Sequence, residues 1–149
     1  MKKEYAVDID TYRFGVVTPI QVRFNDIDGF GHANNNAMQT YFDLGRAEYL
    51  SRVVGLDFYK QDETLLIVSY TTDFMEQVRY GDKVEVRTAV YGIGRRSVKI
   101  LTALVNTVTG RTCAVSDAVM SGFSKATQQS IEISSEWRRK IGEIEGIEF

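Results

Sequence analysis

Cysteine, histidine and proline are nearly missing from this chain, with one residue of each in 149. A lone Cys113 closes no intrachain disulfide, and its strand-like surroundings predict a small buried hydrophobe. One Cys and one His are too few for a zinc site of ordinary composition. Long apolar runs are absent too. The longest is the four residues from Leu65 to Val68, against the roughly 20 that cross a bilayer. Met1-Lys2-Lys3 leads into Glu4 and a mixed stretch, not into the apolar segment of a secretory signal. These features predict a cytoplasmic chain with no membrane partner. An excess of one charge is also lacking: 20 acidic and 18 basic residues leave a net charge of -2. No positive field exists to gather nucleic acid.

What the chain does have is 44% apolar residues, enough for one core and too few for two at this length. No internal repeat, low-complexity tract or linker divides it, so residues 1–149 read as one domain. Two-residue alternation from Tyr12 through Val16 and Ile20 to Phe24 predicts a half-buried strand, with Pro19 interrupting it or placing it on an edge. Residues 65–75, 84–91, 97–106 and 112–123 are rich in Val, Ile, Thr and Tyr and read as four more strands. Gly92-Ile93-Gly94 and Thr109-Gly110 punctuate the last three into a meander of hairpins.

One stretch changes period. Met38, Tyr41, Phe42, Gly45, Tyr49 and Val53 recur at spacings of three and four, which predicts a helix over 36–54 with one buried face. Asn34, Asn35 and Asn36 offer caps at its start, and Gly55 a stop. A short second helix is expected over 134–142. Five strands at about 4.8 Å make a sheet roughly 24 Å wide, whereas a 19-residue helix is about 28 Å long and 10–12 Å across. One helix covers such a sheet only if the sheet curls. The expected class is therefore α+β: a curved antiparallel β-sheet wrapped around one long central α-helix, the hotdog fold. Apolar surface left over should meet a second subunit.

Between the first strand and the helix, residues 22–36 read Val-Arg-Phe-Asn-Asp-Ile-Asp-Gly-Phe-Gly-His-Ala-Asn-Asn-Asn. Two carboxylates, two glycines, the only histidine and three asparagines thus fall within residues 26–36. Gly29 and Gly31 allow a tight loop over the helix start. Free N–H groups and the positive dipole end there can stabilise charge developing on a substrate oxygen. A nearby carboxylate can activate water or attack a carbonyl. Taken singly, the asparagines are caps, the aspartates turn formers and His32 a loop histidine; their joint arrangement points to chemistry.

The segment resembles the hotdog thioesterases of the 4-hydroxybenzoyl-CoA thioesterase-like family, whose motif runs approximately Asp-x-Asp-x-x-Gly-His-Val-Asn-Asn. Asp26, Asp28, Gly31, His32, Asn34 and Asn35 occupy those positions, and Arg46 matches an arginine common late in the helix. Asp73, Phe74, Val78, Arg79, Tyr80, Gly81 and Asp82 fit a second family stretch in order. The resemblance spans about residues 15–125. Met38 departs from a usual tyrosine and Gln77 from a usual proline, which bears on the acyl pocket and on a strand bend.

The resemblance implies hydrolysis of an acyl-CoA thioester without a metal or organic cofactor. Asp28 takes the catalytic role, as general base or as nucleophile. The backbone N–H near Asn35 polarises the thioester carbonyl, and His32 and Asn34 position the loop or substrate. Asp26 is expected to be structural. Met38 and Tyr70, with Phe42, would border the acyl group, and Arg95, Arg96 and Ser97 at a hairpin turn would meet the pantetheine arm and its phosphates. An acyl carrier protein in place of coenzyme A, or a binding module without turnover, remains open. A hotdog dehydratase fits less well, because Gly31-His32 continues into asparagines where those enzymes carry prolines. A homodimer or homotetramer is expected.

Overall fold

The computed structural model describes residues 3–149; Met1 and Lys2, on which part of the signal-segment reading falls, lie outside the described residues. Helix α1 (Asn35–Val53) buries one face, which includes Met38, Tyr41, Phe42, Gly45, Tyr49 and Val53. These are the residues whose spacing predicted it. Of the three consecutive asparagines only Asn34 caps: its Oδ1 accepts the Ala37 N–H at 2.8 Å. Asn35 and Asn36 form the first turn and are exposed. Gly55, with φ +137°, lies past the other end.

Strands β1 (Val16–Ile20), β2 (Glu63–Phe74), β3 (Val84–Ile93), β4 (Ser97–Asn106) and β5 (Thr112–Ser124) form one antiparallel sheet in the order β1-β3-β4-β5-β2. The meander β3-β4-β5 stands as the turn residues predict. Pro19 sits in edge strand β1 opposite Glu85, on the edge where a strand tolerates proline. Two details differ from the alternation pattern. The first strand is five residues, not thirteen, because Tyr12 and Phe14 are drawn elsewhere. Tyr12 donates to Glu145, and Phe14 packs on the outer sheet face. A two-residue β6 (Gln129–Ser130) also folds back on the end of β5 through a turn in which Gln128 takes φ 57°.

The concave face carries two apolar clusters, one under each half of α1. Nearest the helix start are Ala37, Met38, Tyr41 and Phe42 against Val84, Val86, Leu104 and Ala114. Nearest its end are Tyr49, Leu50 and Val53 against Val90, Ile100 and Met120, closed by Trp137 and Ile141 of α2 (Ser135–Glu145). Between them runs a row of hydroxyls in register across the sheet: Thr88 opposite Thr102, Thr102 opposite Ser116, Ser116 opposite Thr72. Arg46 of α1 reaches this row, donating to Ser116 Oγ at 2.6 Å and to Asp43 Oδ1 at 3.0 Å. On the convex face, Tyr5, Ile9 and Phe14 pack on Leu101, Ala103, Val105 and Val115. That side of the sheet is thus partly covered by the chain itself.

Gly45 sets how near the helix lies to the sheet. A Cβ there would stand 2.4 Å from Val86 Cγ1 and 2.8 Å from Thr88 Oγ1, closer than packed atoms tolerate. Gly45→Ala is predicted to lower the unfolding free energy by about 1–3 kcal/mol despite alanine's higher helix propensity. Urea denaturation monitored by circular dichroism measures the loss.

Candidate active site

The loop before α1 is a small hairpin built on backbone bonds. Asp28 N–H donates to His32 O at 3.0 Å, Gly31 N–H to Asp28 O at 3.1 Å, and Asn34 N–H to Asp26 O at 2.9 Å. Gly31 adopts φ +87°, which favours glycine at the tip. The hairpin is docked sideways by Ala33 N–H on Val78 O at 2.7 Å and by an edge-to-face contact of Phe24 with Tyr80 at 6.0 Å. The segment after β2 is fixed in turn, because Met75 and Glu76 both donate their N–H to Cys113 O, at 2.8 and 3.0 Å.

These two segments face each other across a cleft of about 280 Å³ lined by Asp28, His32, Ala33, Asn35, Met38 and residues 74–77. Asp28, His32, Asn35 and Met38, singled out from the sequence, are therefore brought together. Asp28 Oδ1 accepts the Phe30 N–H at 2.8 Å, an Asx turn that orients the carboxylate. At the helix start, Ala37 N–H is capped by the Asn34 side chain and Met38 N–H by Asn34 O. The N–H groups of Asn35 and Asn36 are the two that α1 leaves without an acceptor among the described residues. A carboxylate and an electropositive helix end thus share one cleft.

Asn34 itself serves as the cap, its side chain engaged with the helix it starts. Tyr70 lies on β2 opposite Ala118, about 13 Å along the strand from Phe74. Arg95, Arg96 and Ser97 stand farther away. Arg95 and Arg96 occupy the β3–β4 turn and Ser97 opens β4, and ten-residue β3 separates that turn from the site end of the sheet, a run of about 30 Å. There Arg95 pairs with Glu132 at 2.6 Å and Arg96 with Ser130 at 3.2 Å. Met75 and Glu76 were not among the expected site residues, although they adjoin Phe74 in the second motif. Only the pairing of β2 with β5 shows that this stretch ends beside the helix start.

Below the cleft lies Asp26, 3% exposed. It accepts the Arg23 backbone N–H at 2.9 Å, the Arg23 guanidinium at 3.1 Å and the Tyr41 hydroxyl at 2.7 Å. Burial opposes its charged form, yet these donors and the Arg23 charge outweigh burial and hold the carboxyl below its ordinary range. Tyr41 responds in the opposite sense: burial and the Asp26 charge push its hydroxyl up, so it stays a donor. Cys113 is buried, and desolvation, reinforced by Glu76, pushes its thiol up to about 11. It is no nucleophile at neutral pH.

Known proteins resemble this chain in sequence and in fold. The family model described as the thioesterase-like superfamily matches residues 22–141. Among solved structures, a thioesterase from Thermus thermophilus, complexed with coenzyme A and Zn, is 25% identical. The match covers 89% of this chain and 96% of that one, with a TM-score of 0.79. A predicted thioesterase from Bacillus stearothermophilus is 29% identical over 86% of this chain and 94% of that one, with a TM-score of 0.78. The uncharacterized protein YsmA of Bacillus subtilis is 26% identical over 86% of each chain.

The lowered Asp26 carboxyl predicts how stability varies with pH. Its contribution is complete above the ordinary carboxyl range and is lost as pH falls below about 4 toward the folded-state value. Urea midpoints measured from pH 6 to pH 3 should therefore fall less steeply in Asp26→Asn than in the parent. The variant should already be about 2 kcal/mol weaker at pH 6.

Proposed function

The chain belongs to the thioesterase-like superfamily, and from that premise we propose that it hydrolyses an acyl-CoA thioester to the free acid and coenzyme A. One observation carries the reading: the Asp28 carboxylate and the open N–H groups at the start of α1 line the same cleft. The thioester carbonyl oxygen points at the Asn35 N–H, whose dipole and hydrogen bond stabilise the oxyanion. Asp28 either takes a proton from the attacking water or attacks the carbonyl carbon itself. In both routes the C–S bond breaks and the thiolate leaves, taking up a proton that water supplies; in the second, water then hydrolyses the acyl anhydride on Asp28, releasing the acid and restoring the carboxylate. His32 flanks the reacting centre and Met38 borders the acyl group. Coenzyme A as the carrier is supported by the Thermus thermophilus relative, which was solved with that molecule.

The protein acts as a dimer, or as a pair of dimers, in this reading. Strand β2 is an open sheet edge, and Val68 and Tyr70 on it are 63% and 53% exposed. Such an edge is a template for a second chain. Pairing two β2 edges antiparallel about a two-fold axis reverses the partner's sheet, so its β3–β4 turn comes to the side of the Asp28 cleft. Arg95, Arg96 and Ser97 then serve the neighbouring site, meeting pantetheine and phosphate where their own protomer does not reach. Tyr70 lies at the seam between the two subunits.

Purified protein should release free thiol from at least one compound in an acyl-CoA panel. Asp28→Asn should lower that rate by about 100-fold or more with an unchanged circular dichroism spectrum; full activity in the variant would overturn the assignment. Light scattering across a dilution series is expected to give at least twice the 16.9 kDa chain mass, and an active monomer would remove the shared-site geometry.

A further inference from the structure

Two tyrosines in opposite halves of α1 each donate a hydroxyl to a carboxylate of another segment. Tyr41 donates to Asp26 at 2.7 Å beneath the cleft, and Tyr49 donates to Glu145 of α2 at 2.5 Å at the far end. Both rings are nearly sealed from solvent. What differs is what hangs on the acceptor. Glu145 ties α2 to Tyr12, Tyr49 and the Val90 N–H, all remote from the cleft. Asp26 begins the catalytic hairpin: its carbonyl accepts the Asn34 N–H at 2.9 Å, and Asp28 is two residues along. The next residue, Ile27, bridges to Ala33. The base of the hairpin is thereby fastened to the residue that caps α1.

We infer that Tyr41 is a positioning residue for hydrolysis, its hydroxyl bond to Asp26 setting the separation between the Asp28 carboxylate and the Asn35 N–H. This rests on the assignment of Asp28 to the reaction. The physical basis is leverage within a rigid frame. Tyr41 is anchored on the second turn of α1, the same helix whose first residue supplies the carbonyl donor. Beside the backbone bond of Asp26 to Asn34, this hydroxyl bond is the side-chain tie that references the Asp26 side of the loop to the helix carrying the oxyanion site. Arg23, the other partner of Asp26, is exposed and belongs to the loop side, so it supplies charge but no reference to the helix. Without the Tyr41 hydroxyl, Asp26 keeps the Arg23 bonds and its backbone bond to Asn34, but its carboxylate is no longer tied to the body of α1 and the Asp28 arm of the hairpin shifts about that remaining bond. Displacements of about 1 Å at a reacting centre cost on the order of 100-fold in rate. Substrate binding, which relies on the cleft walls and the partner edge, changes little.

The experiment compares Tyr41→Phe, Tyr49→Phe and Asp28→Asn by steady-state thiol release and thermal melting of the full chain. Tyr41→Phe is expected to lower kcat by about 10-fold or more while KM stays within about twofold. Tyr49→Phe should lower the melting temperature comparably and leave kcat at the parent value. Parent-like kcat in Tyr41→Phe, or an equal loss in Tyr49→Phe, overturns the inference while an inactive Asp28→Asn leaves the hydrolase reading standing. An active Asp28→Asn removes both. Should Tyr41→Phe fail to fold, Asp26→Asn takes its place, weakening the same bond from the acceptor side, with the same kcat-against-KM split deciding the outcome.

Discussion

A carboxylate sealed from water stays charged only if it collects donors, and Asp26 collects them from both sides of the loop before α1. The Arg23 backbone and side chain approach from the strand side and Tyr41 from the helix. Satisfying that one group obliges the chain to turn sharply after β1 and lie against the first turns of α1. Everything in the cleft inherits this obligation. The Asx turn at Asp28, the capping by Asn34 and the open N–H groups of Asn35 and Asn36 all follow once the loop is held there.

The rest of the molecule makes that placement stiff. α1 lies unusually close to the sheet because Gly45 has no side chain to hold it off. The hydroxyl row and Arg46 divide the interior beneath it into two apolar clusters. The far cluster is capped by α2 and contains no group assigned to the chemistry; it anchors the C-terminal half of the helix. The near cluster supports the helix start and forms the floor of the cleft through Met38 and Ala33. The anchored half and the cleft are thus placed at opposite ends of one helix, which lets the cleft end stay open to solvent without loosening the fold.

Much of this was legible before the structure. The three-and-four spacing located α1 to within one residue at each end, and turn glycines located the meander, because both signals act over a few residues. Local pattern misled where distant partners competed with it. Tyr12 and Phe14 alternate like strand residues but answer to Glu145 and to the outer sheet face. Three asparagines look equivalent in sequence, and only Asn34 has the extended backbone that a capping residue needs. For Arg95 and Arg96 the sequence carries no measure of their distance from the loop before α1, which the length of β3 sets.

The sequence by itself determined the class of the fold, the extent of the central helix and the identity of the loop that meets its start. Each of these depends on periodicity, capping and backbone freedom, which act within a turn or a pleat. Tertiary structure decided which residues share a cleft. Residues 28 and 76 are far apart in the chain and meet only because β2 pairs with β5 in one register. It also decided which edge is left open. A register shift of one residue would turn every side chain of β2 to the other face, so that information resides in the pairing of strands and in no single segment.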